Sequence, residues 1–438
     1  MPHQKNLTIS TAMHKPNKYL FPFILVTSLF FLWAFLHNIN PILIPHLKKA
    51  CQLTDTESAL IDSSVYLAYF LIALPAGWFM YRYGFKRGIM AGLLLYGVGA
   101  LMFLPAASTR SYGLFLGALF IIASGATFLE TVANPFITKL GDEHTATQRL
   151  NFAQSFNGVG AFIAPIIGGR FILSGIEHTP EQLQQMQVAG TLEPYLQSEA
   201  SAIKIPYLVI AALVLLLAAL FFVTKLPEGE GREQEAKTPF SFRVLRHRQV
   251  RWSVIAQFFY IGAQVCVGSF FIRFSRYVID MPEKDAAFYW GSIAMVGFML
   301  GRFTGTFFMK YIRPEKLLGL YAIICMLLLA VATFASGGVA VYTLMAVPFF
   351  MSIMFPTIFA LGIHGLGQEG KIASSLIVMS IVGGALFPLL MGKISDATGG
   401  NIQIAYIIPL LCFVVVLLFA LQQKATVAPA EGSLALHH

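Results

Sequence analysis

Apolar stretches long enough to cross roughly 30 Å of hydrocarbon recur from one end of this 438-residue chain to the other. That pattern leaves few folds open. Inside a bilayer every backbone N–H and C=O must be satisfied by the protein itself, so only helices and closed barrels span it. The stretches have the length of helices rather than of barrel strands. They lie at about 20–45, 56–80, 88–108, 112–138, 146–174, 203–225, 251–279, 286–310, 314–336, 339–366, 370–396 and 401–422. The expectation is an all-α polytopic membrane protein of twelve helices. A chain that is 57% hydrophobic and only 12% charged fits it. Residues 21–36 do not read as a cleavable signal, because no small-residue cleavage site follows and polar Asn38 and Asn40 continue the segment.

A net charge of +9 could point to nucleic acid, but its placement argues against that partner. Most of the 30 Lys and Arg fall in the N-terminal tail and in every second loop, the bias of cytoplasmic loops. Both termini are therefore expected in the cytoplasm. Arg243, Arg246, Arg248 and Arg251 cluster in the middle loop, where they would face an anionic leaflet. The four cysteines fall in no paired spacing, so neither a disulfide framework nor a metal site is expected. No nucleotide loop, H-E-x-x-H or Gly-flanked nucleophile is present. An enzyme is not expected, and no cofactor beyond a transmembrane ion gradient.

The charged, Gly- and Pro-containing stretch around 226–250 has six spans on either side and reads as a linker. It divides the chain into a tail at 1–19, a bundle at 20–225, a second bundle at 251–422 and a tail at 423–438, where His437-His438 after Gly432-Ser433 reads as a cloning remnant. The halves echo each other. Pro135 to Gly141 in span 4 matches Pro356 to Gly362 in span 10, an offset of 221. Gly160, Pro165 and Gly169 in span 5 match Gly383 or Gly384, Pro388 and Gly392 in span 11, an offset of 223 for the prolines. Parallel six-helix repeats around a central site describe the major facilitator architecture. Small residues in span 5 (Gly158, Gly160, Gly168, Gly169) and span 11 (Gly383, Gly384, Gly392) are expected to permit close helix approach.

Glu130 is the only ionised side chain between residues 114 and 136, and Thr127, Thr131 and Asn134 share its helix face. A carboxylate near the bilayer centre costs several kcal/mol unless it is protonated, paired or in a water-filled cavity. It reads as a coupling site in a transporter rather than as structural glue. Glu130 and Gln154 both lie about eight residues, roughly 12 Å, from the same end of their helices, so they can meet. Gln257, Tyr260, Ile261 and Gln264 share one face of span 7, and the amides can donate to and accept from sugar hydroxyls. Trp33, Phe128 and Tyr260 could stack on the apolar face of a pyranose.

Four stretches narrow the reading: Leu29-Phe-Phe-Leu-Trp33 with Asn38-Ile-Asn40, Leu129-Glu-Thr-Val-Ala-Asn-Pro-Phe136, Asn151-Phe-Ala-Gln-Ser-Phe-Asn157 and Gly301-Arg-Phe-Thr-Gly305. Together they resemble the fucose/glucose–galactose:proton symporter family of the major facilitator superfamily, over nearly the whole chain. The resemblance implies cation-coupled uptake of a monosaccharide by alternating access, across a bacterial inner membrane. It implies Glu130 as the essential carboxylate and Asn38, Gln154 and Asn157 as polar groups of the sugar cavity, with Asn134 beside them. Gly77 to Arg87 resembles the superfamily's loop signature, so Arg82, Arg87 and, in the second half, Arg302 are expected at gating loops. Two departures stand out. Tyr81 replaces the usual acid of that loop, and Pro41 replaces an aspartate of the L-fucose permease branch. Asp62, early in span 2, is a candidate substitute for the latter. A passive facilitator, a sodium-coupled symporter, a drug exporter and a non-transporting sugar receptor are the alternatives. The chain is expected to work as a monomer.

Overall fold

The computed structural model describes residues 20–53, 55–172, 180–224, 226 and 242–423. Both tails and most of the linker lie outside the described residues, as do the side chains of Pro41 and Asp62. All described elements are helical. Among the described residues nine helices are long and apolar enough to cross a membrane by length and composition. The other three expected spans are helical too, but each is interrupted or polar. Span 1 is broken at Asn38–Ile39 into α1 (Leu20–His37) and α2 (Asn40–Cys51). Span 5 is α6 (Ala146–Ile172), which carries Arg149, Asn151, Gln154 and Asn157. Span 8 is α12 (Glu283–Tyr289), a π turn at Trp290–Ala294, and α13 (Met295–Phe308).

In the first half α3 (Asp55–Tyr83), α4 (Phe85–Thr109) and α5 (Tyr112–Lys139) pack together, α4 also holds α9 (Lys204–Val223), and α1 lies on α6. In the second half α10 (Arg248–Ser269) runs on into a short α11 (Phe271–Ile279) and packs on α18 (Gly383–Ala397) and α20 (Ile407–Gln422). A short α19 (Ile402–Ala405) leads into α20. There α14 (Pro314–Phe334) packs on α15 (Gly338–Met351) and α20. The bundles meet through α6 against α13 and α16 (Met354–Ile363), and through α17 (Gly370–Met379) against α3 and α5.

The internal offset of 223 has a packing cause. Gly160 on α6 presses on the Phe31 carbonyl of α1, and Gly383 on the Phe258 carbonyl of α10. The same contact, between corresponding helices, recurs in both halves, and a Cβ at either glycine would collide with backbone. Gly158 and Gly384 meet the opposite bundle, at Met299 and Tyr66. Gly392 differs from expectation: nothing lies within 4 Å of where its Cβ would be, so it mediates no close packing. The side-chain surroundings of Gly168 and Gly169 lie outside the described residues.

The loops after α3 and α5 and the segment before α10 lie on one side, here the linker side. On the far side the segment between spans 5 and 6 forms a cap that includes two helices, α7 (Pro180–Val188) and α8 (Leu192–Ala202). Leu192, Leu196, Glu199 and Ala200 form the buried face of α8 at helical spacing. The cap is pinned by charge: Glu199 pairs with Lys49 at 3.2 Å, and Glu193 with Arg110 at 2.8 Å.

The linker side is sealed. Gly77 of α3 faces Ser375 of α17 so closely that a Cβ would overlap the Ser375 hydroxyl. Ser374 donates to the Thr131 carbonyl at 2.7 Å, and His364 reaches Glu143 at 3.7 Å. Phe85, within the loop signature, has Lys139 of its own bundle 5.3 Å from its ring centre and buried Lys371 of the other bundle at 5.1 Å. Cation–π attraction of this kind strengthens when the cation is desolvated. Lys86 donates to the Phe222 and Thr224 carbonyls at 2.7 and 2.9 Å, tying the loop to the end of α9. Arg82 and Arg87 are exposed at this side. With tyrosine at position 81, the seal rests on close packing and cations over a ring.

The Gly77–Ser375 contact yields a test. Gly77→Val should push the bundles apart on the linker side, seen as a longer distance between spin labels placed across it. Ser375→Gly in the same chain removes the obstacle and should restore the parent distance, since contacting residues couple. Equal effects in the single and double variants would refute the contact.

Candidate functional site

Between the bundles lies a cavity of about 650 Å³, within the range of small-molecule sites. Its wall continues toward the far side through Gly268, Ser269, Ile272 and Trp290, while the linker side is closed. Each half supplies polar groups from helix faces that alternate with apolar packing. The first half contributes Trp33, Asn38, Tyr66, Tyr69, Glu130, Gln154 and Asn157. The second contributes Gln264, Trp290, Phe298, Arg302 and Phe355.

Glu130 is 8% exposed on the middle of α5. The Tyr69 hydroxyl of α3 and the Arg302 guanidinium of α13 both lie within electrostatic reach of its carboxylate. Arg302 is 4% exposed. Its Nη1 donates to the Gln154 carbonyl, to Gln154 Oε1 at 3.1 Å and to Asn157 Oδ1 at 3.2 Å. Its Nε donates to the Ser352 carbonyl at 3.1 Å, and its carbon centre stands 4.7 Å from the Phe298 ring centre. This planar fork therefore ties α6 of one bundle to α13 and α15 of the other, a geometry lysine cannot reproduce. Gln154 in turn donates to Asn134 Oδ1 at 3.0 Å, and Asn134 donates to the Glu130 carbonyl at 2.8 Å.

Several expected residues converge here. Glu130, Gln154, Asn157, Gln264, Asn38 and Trp33 all line one cavity. Trp33 is held by Phe30, ring centres 4.3 Å apart. The Asn38 amide donates to the Ala34 carbonyl at 2.8 Å, at the break of the first span.

Other placements are corrected. Arg302 is no loop residue: it sits mid-helix in the cavity wall, because its partners are carbonyls and amides of both bundles rather than solvent. Tyr260 does not reach the cavity; it is fully buried and donates to the Met351 carbonyl at 2.9 Å. Asn134 stands behind Gln154 as its support, with no exposed surface. Gln257 is buried below the cavity floor. Phe128 meets Phe79 edge-on at 5.7 Å and is not part of the wall. The Asp62 side chain lies outside the described residues.

Tyr66, Tyr69 and Trp290 were not anticipated. A signal for the first two exists in the sequence: Asp62, Tyr66 and Tyr69 share one face of α3 at helical spacing. Trp290 opens the π turn in span 8, and π turns favour functional positions. Among the described residues no cluster of His, Cys, Asp and Glu could hold a metal.

Comparison with known proteins gives this geometry a setting. The Major Facilitator Superfamily model matches residues 23–388. An L-fucose-proton symporter of Escherichia coli (strain K12) is 44% identical over 409 residues, covering 92% of this chain and 93% of that protein. A glucose/galactose transporter of Brucella abortus biovar 1 is 37% identical over 422 residues, covering 95% and 97%. The crystal structure of the transporter FucP in the outward conformation superposes with a TM-score of 0.84 at 43% identity, over 93% of this chain and all of that one. The chain belongs to the Major Facilitator Superfamily, in the group that holds the L-fucose-proton symporter and the glucose/galactose transporters.

Proposed function

We propose that the chain is a proton-coupled symporter of a hexose or 6-deoxyhexose, working by alternating access. The observation that carries this reading is one carboxyl, Glu130, set against an arginine that bridges both bundles, in a cavity otherwise lined by amides and aromatic rings. Amides match hydroxyl pairs by donating and accepting, and rings such as Trp33 and Trp290 offer a surface to the C–H face of a pyranose. The relatives' names point to the same substrates, L-fucose, glucose and galactose. Loops rich in Lys and Arg support a bacterial inner-membrane orientation with the linker side, and both termini, in the cytoplasm. The cavity is then open to the outside. The two bundles, 20–225 and 251–422, rock about it with 226–250 as their linker. One chain contains the whole cavity, so the monomer suffices.

The coupling follows from charge. Ionised Glu130 is held by the Tyr69 hydroxyl and the field of Arg302. A proton on Glu130 removes that attraction and leaves the cavity, with sugar bound, free to occlude. Release of the proton on the cytoplasmic side re-forms it. A ligand can shift the two-state equilibrium only through such differential interactions.

The direct test is sugar-driven alkalinisation of the medium by cells or vesicles, screened over L-fucose, galactose and glucose. Uptake without alkalinisation indicates the facilitator or, where it requires sodium, the sodium-coupled symporter, and absence of counterflow in vesicles rejects transport. Glu130→Gln, which mimics the protonated carboxyl, should bind sugar and exchange it across the membrane but lose accumulation against a gradient. Glu130→Ala should weaken binding as well. Undiminished accumulation by Glu130→Gln would move the coupling site elsewhere, with Asp62 next.

A second prediction concerns Arg302. Arg302→Leu should lower the thermal unfolding temperature, because it leaves a buried carboxylate without compensation. Adding Glu130→Gln should recover part of the loss, since the two groups interact. Strictly additive losses would show that the charges act independently. Arg302→Lys keeps the charge without the fork and should reduce uptake by about tenfold or more, the equivalent of 1.4 kcal/mol.

A further inference from the structure

Toward the cytoplasmic side of the cavity floor the bundles meet on buried polar side chains. Thr131 and Asn151 come from the first half, and Gln257, Thr357 and Ser374 from the second. Two hydrogen bonds cross between the halves. Asn151 Nδ2 donates to Thr357 Oγ1 at 3.1 Å, and Ser374 donates to the Thr131 carbonyl at 2.7 Å. Much of the remaining capacity is unused. Gln257 Nε2 and Oε1, Asn151 Oδ1 and Thr131 Oγ1 have no partner among the described residues.

These groups lie on the route out. Gln257 is four residues, about 6 Å, below Ile261 of the cavity wall, and Asn151 is three residues, about 4.5 Å, below Gln154. Ser253 abuts Gly362, and Tyr260 bonds the Met351 carbonyl, so α10 runs antiparallel to α16 with Gln257 at the level of Thr357. Beyond this layer a smaller pocket of about 290 Å³ opens on the cytoplasmic side, lined by Pro135, Lys139, Glu143 and His364. Anything passing from the cavity to that pocket must cross the layer.

A buried amide with neither end paired is costly, about 1–3 kcal/mol for each unsatisfied group, and native proteins carry few of them. An apolar side chain of similar volume would avoid that cost. Two-state transporters supply a reason to keep it, since a group unpaired in one state can be paired in the other. We propose that Gln257, Asn151 and Thr131 form a second, exit-side subsite for the sugar, exposed when the cytoplasmic seal opens. None of the three is ionisable, and amides and a hydroxyl both donate and accept, which suits a neutral polyhydroxylated ring. This inference rests on the sugar-symport reading and adds a site to it.

The test is side-specific affinity, with L-fucose and D-galactose as probes. Gln257→Leu and Asn151→Leu are each compared with the parent in right-side-out and inside-out vesicles. Affinity from the outer side should stay within about twofold of the parent. The apparent KM from the cytoplasmic side should rise by about tenfold, the upper range for a lost hydrogen bond. Gln257→Asn, which keeps an amide, should recover part of the change. If both leucine variants match the parent from both sides, whatever their thermal stability, the amides are passive packing and the subsite is refuted. A change confined to proton movement, with sugar KM unaltered, refutes it equally. A parent that transports neither sugar from either side overturns the underlying reading, and this site with it.

Discussion

The architecture depends on keeping a carboxyl and a guanidinium inside a hydrocarbon-spanning protein. Each alone is expensive there. Glu130 and Arg302 face one cavity within electrostatic reach of each other, and acceptors from both halves satisfy the guanidinium. That requirement explains why polar residues on α3, α5, α6 and α13 converge, and why the intervening faces are apolar. Arg302 joins the halves through Gln154 and Asn157 on one side and the Ser352 carbonyl on the other.

Closure on the linker side uses different physics. Glycine against serine, a serine hydroxyl on a carbonyl and lysines over Phe85 are short-range contacts. His364 and Glu143 add a long, partly exposed pair at 3.7 Å. The far side is braced differently, by α8 with its charged anchors to α2 and to the end of α4. A seal made of many weak contacts can open and reclose at modest cost, as a carrier that cycles requires.

The helical fold was legible because hydrophobic length is a direct consequence of bilayer thickness. Three spans carry local interruptions: the break after Asn38, the polar stripe of α6 and the π turn at Trp290. Asn38, Gln154, Asn157 and Trp290 of these segments line the cavity beside Tyr69, Glu130 and Gln264 of uninterrupted helices. Glu130 and Gln154 were legible because polar groups at matching depth are conspicuous in apolar helices, whereas Asn157 came from the family resemblance alone. Tyr69 and Tyr66 were less so, since a tyrosine in a membrane helix is ordinary until its hydroxyl has a partner.

The sequence by itself determined the number and order of spans, the duplicated Gly and Pro pattern and the presence of one carboxyl in the fourth span. Periodicity and hydropathy are local properties, and they suffice for that. Only the tertiary structure decided which polar residues share a space. Tyr260 and Gln264 lie on one helix face, yet a shift of one turn puts Gln264 in the cavity and Tyr260 against the Met351 carbonyl. Arg302 reads as a loop arginine by its motif and becomes a bridge because its acceptors come from helices up to 148 residues away in sequence. Spacing along a helix gives the direction of a side chain, while what it meets there is set by how the helices cross.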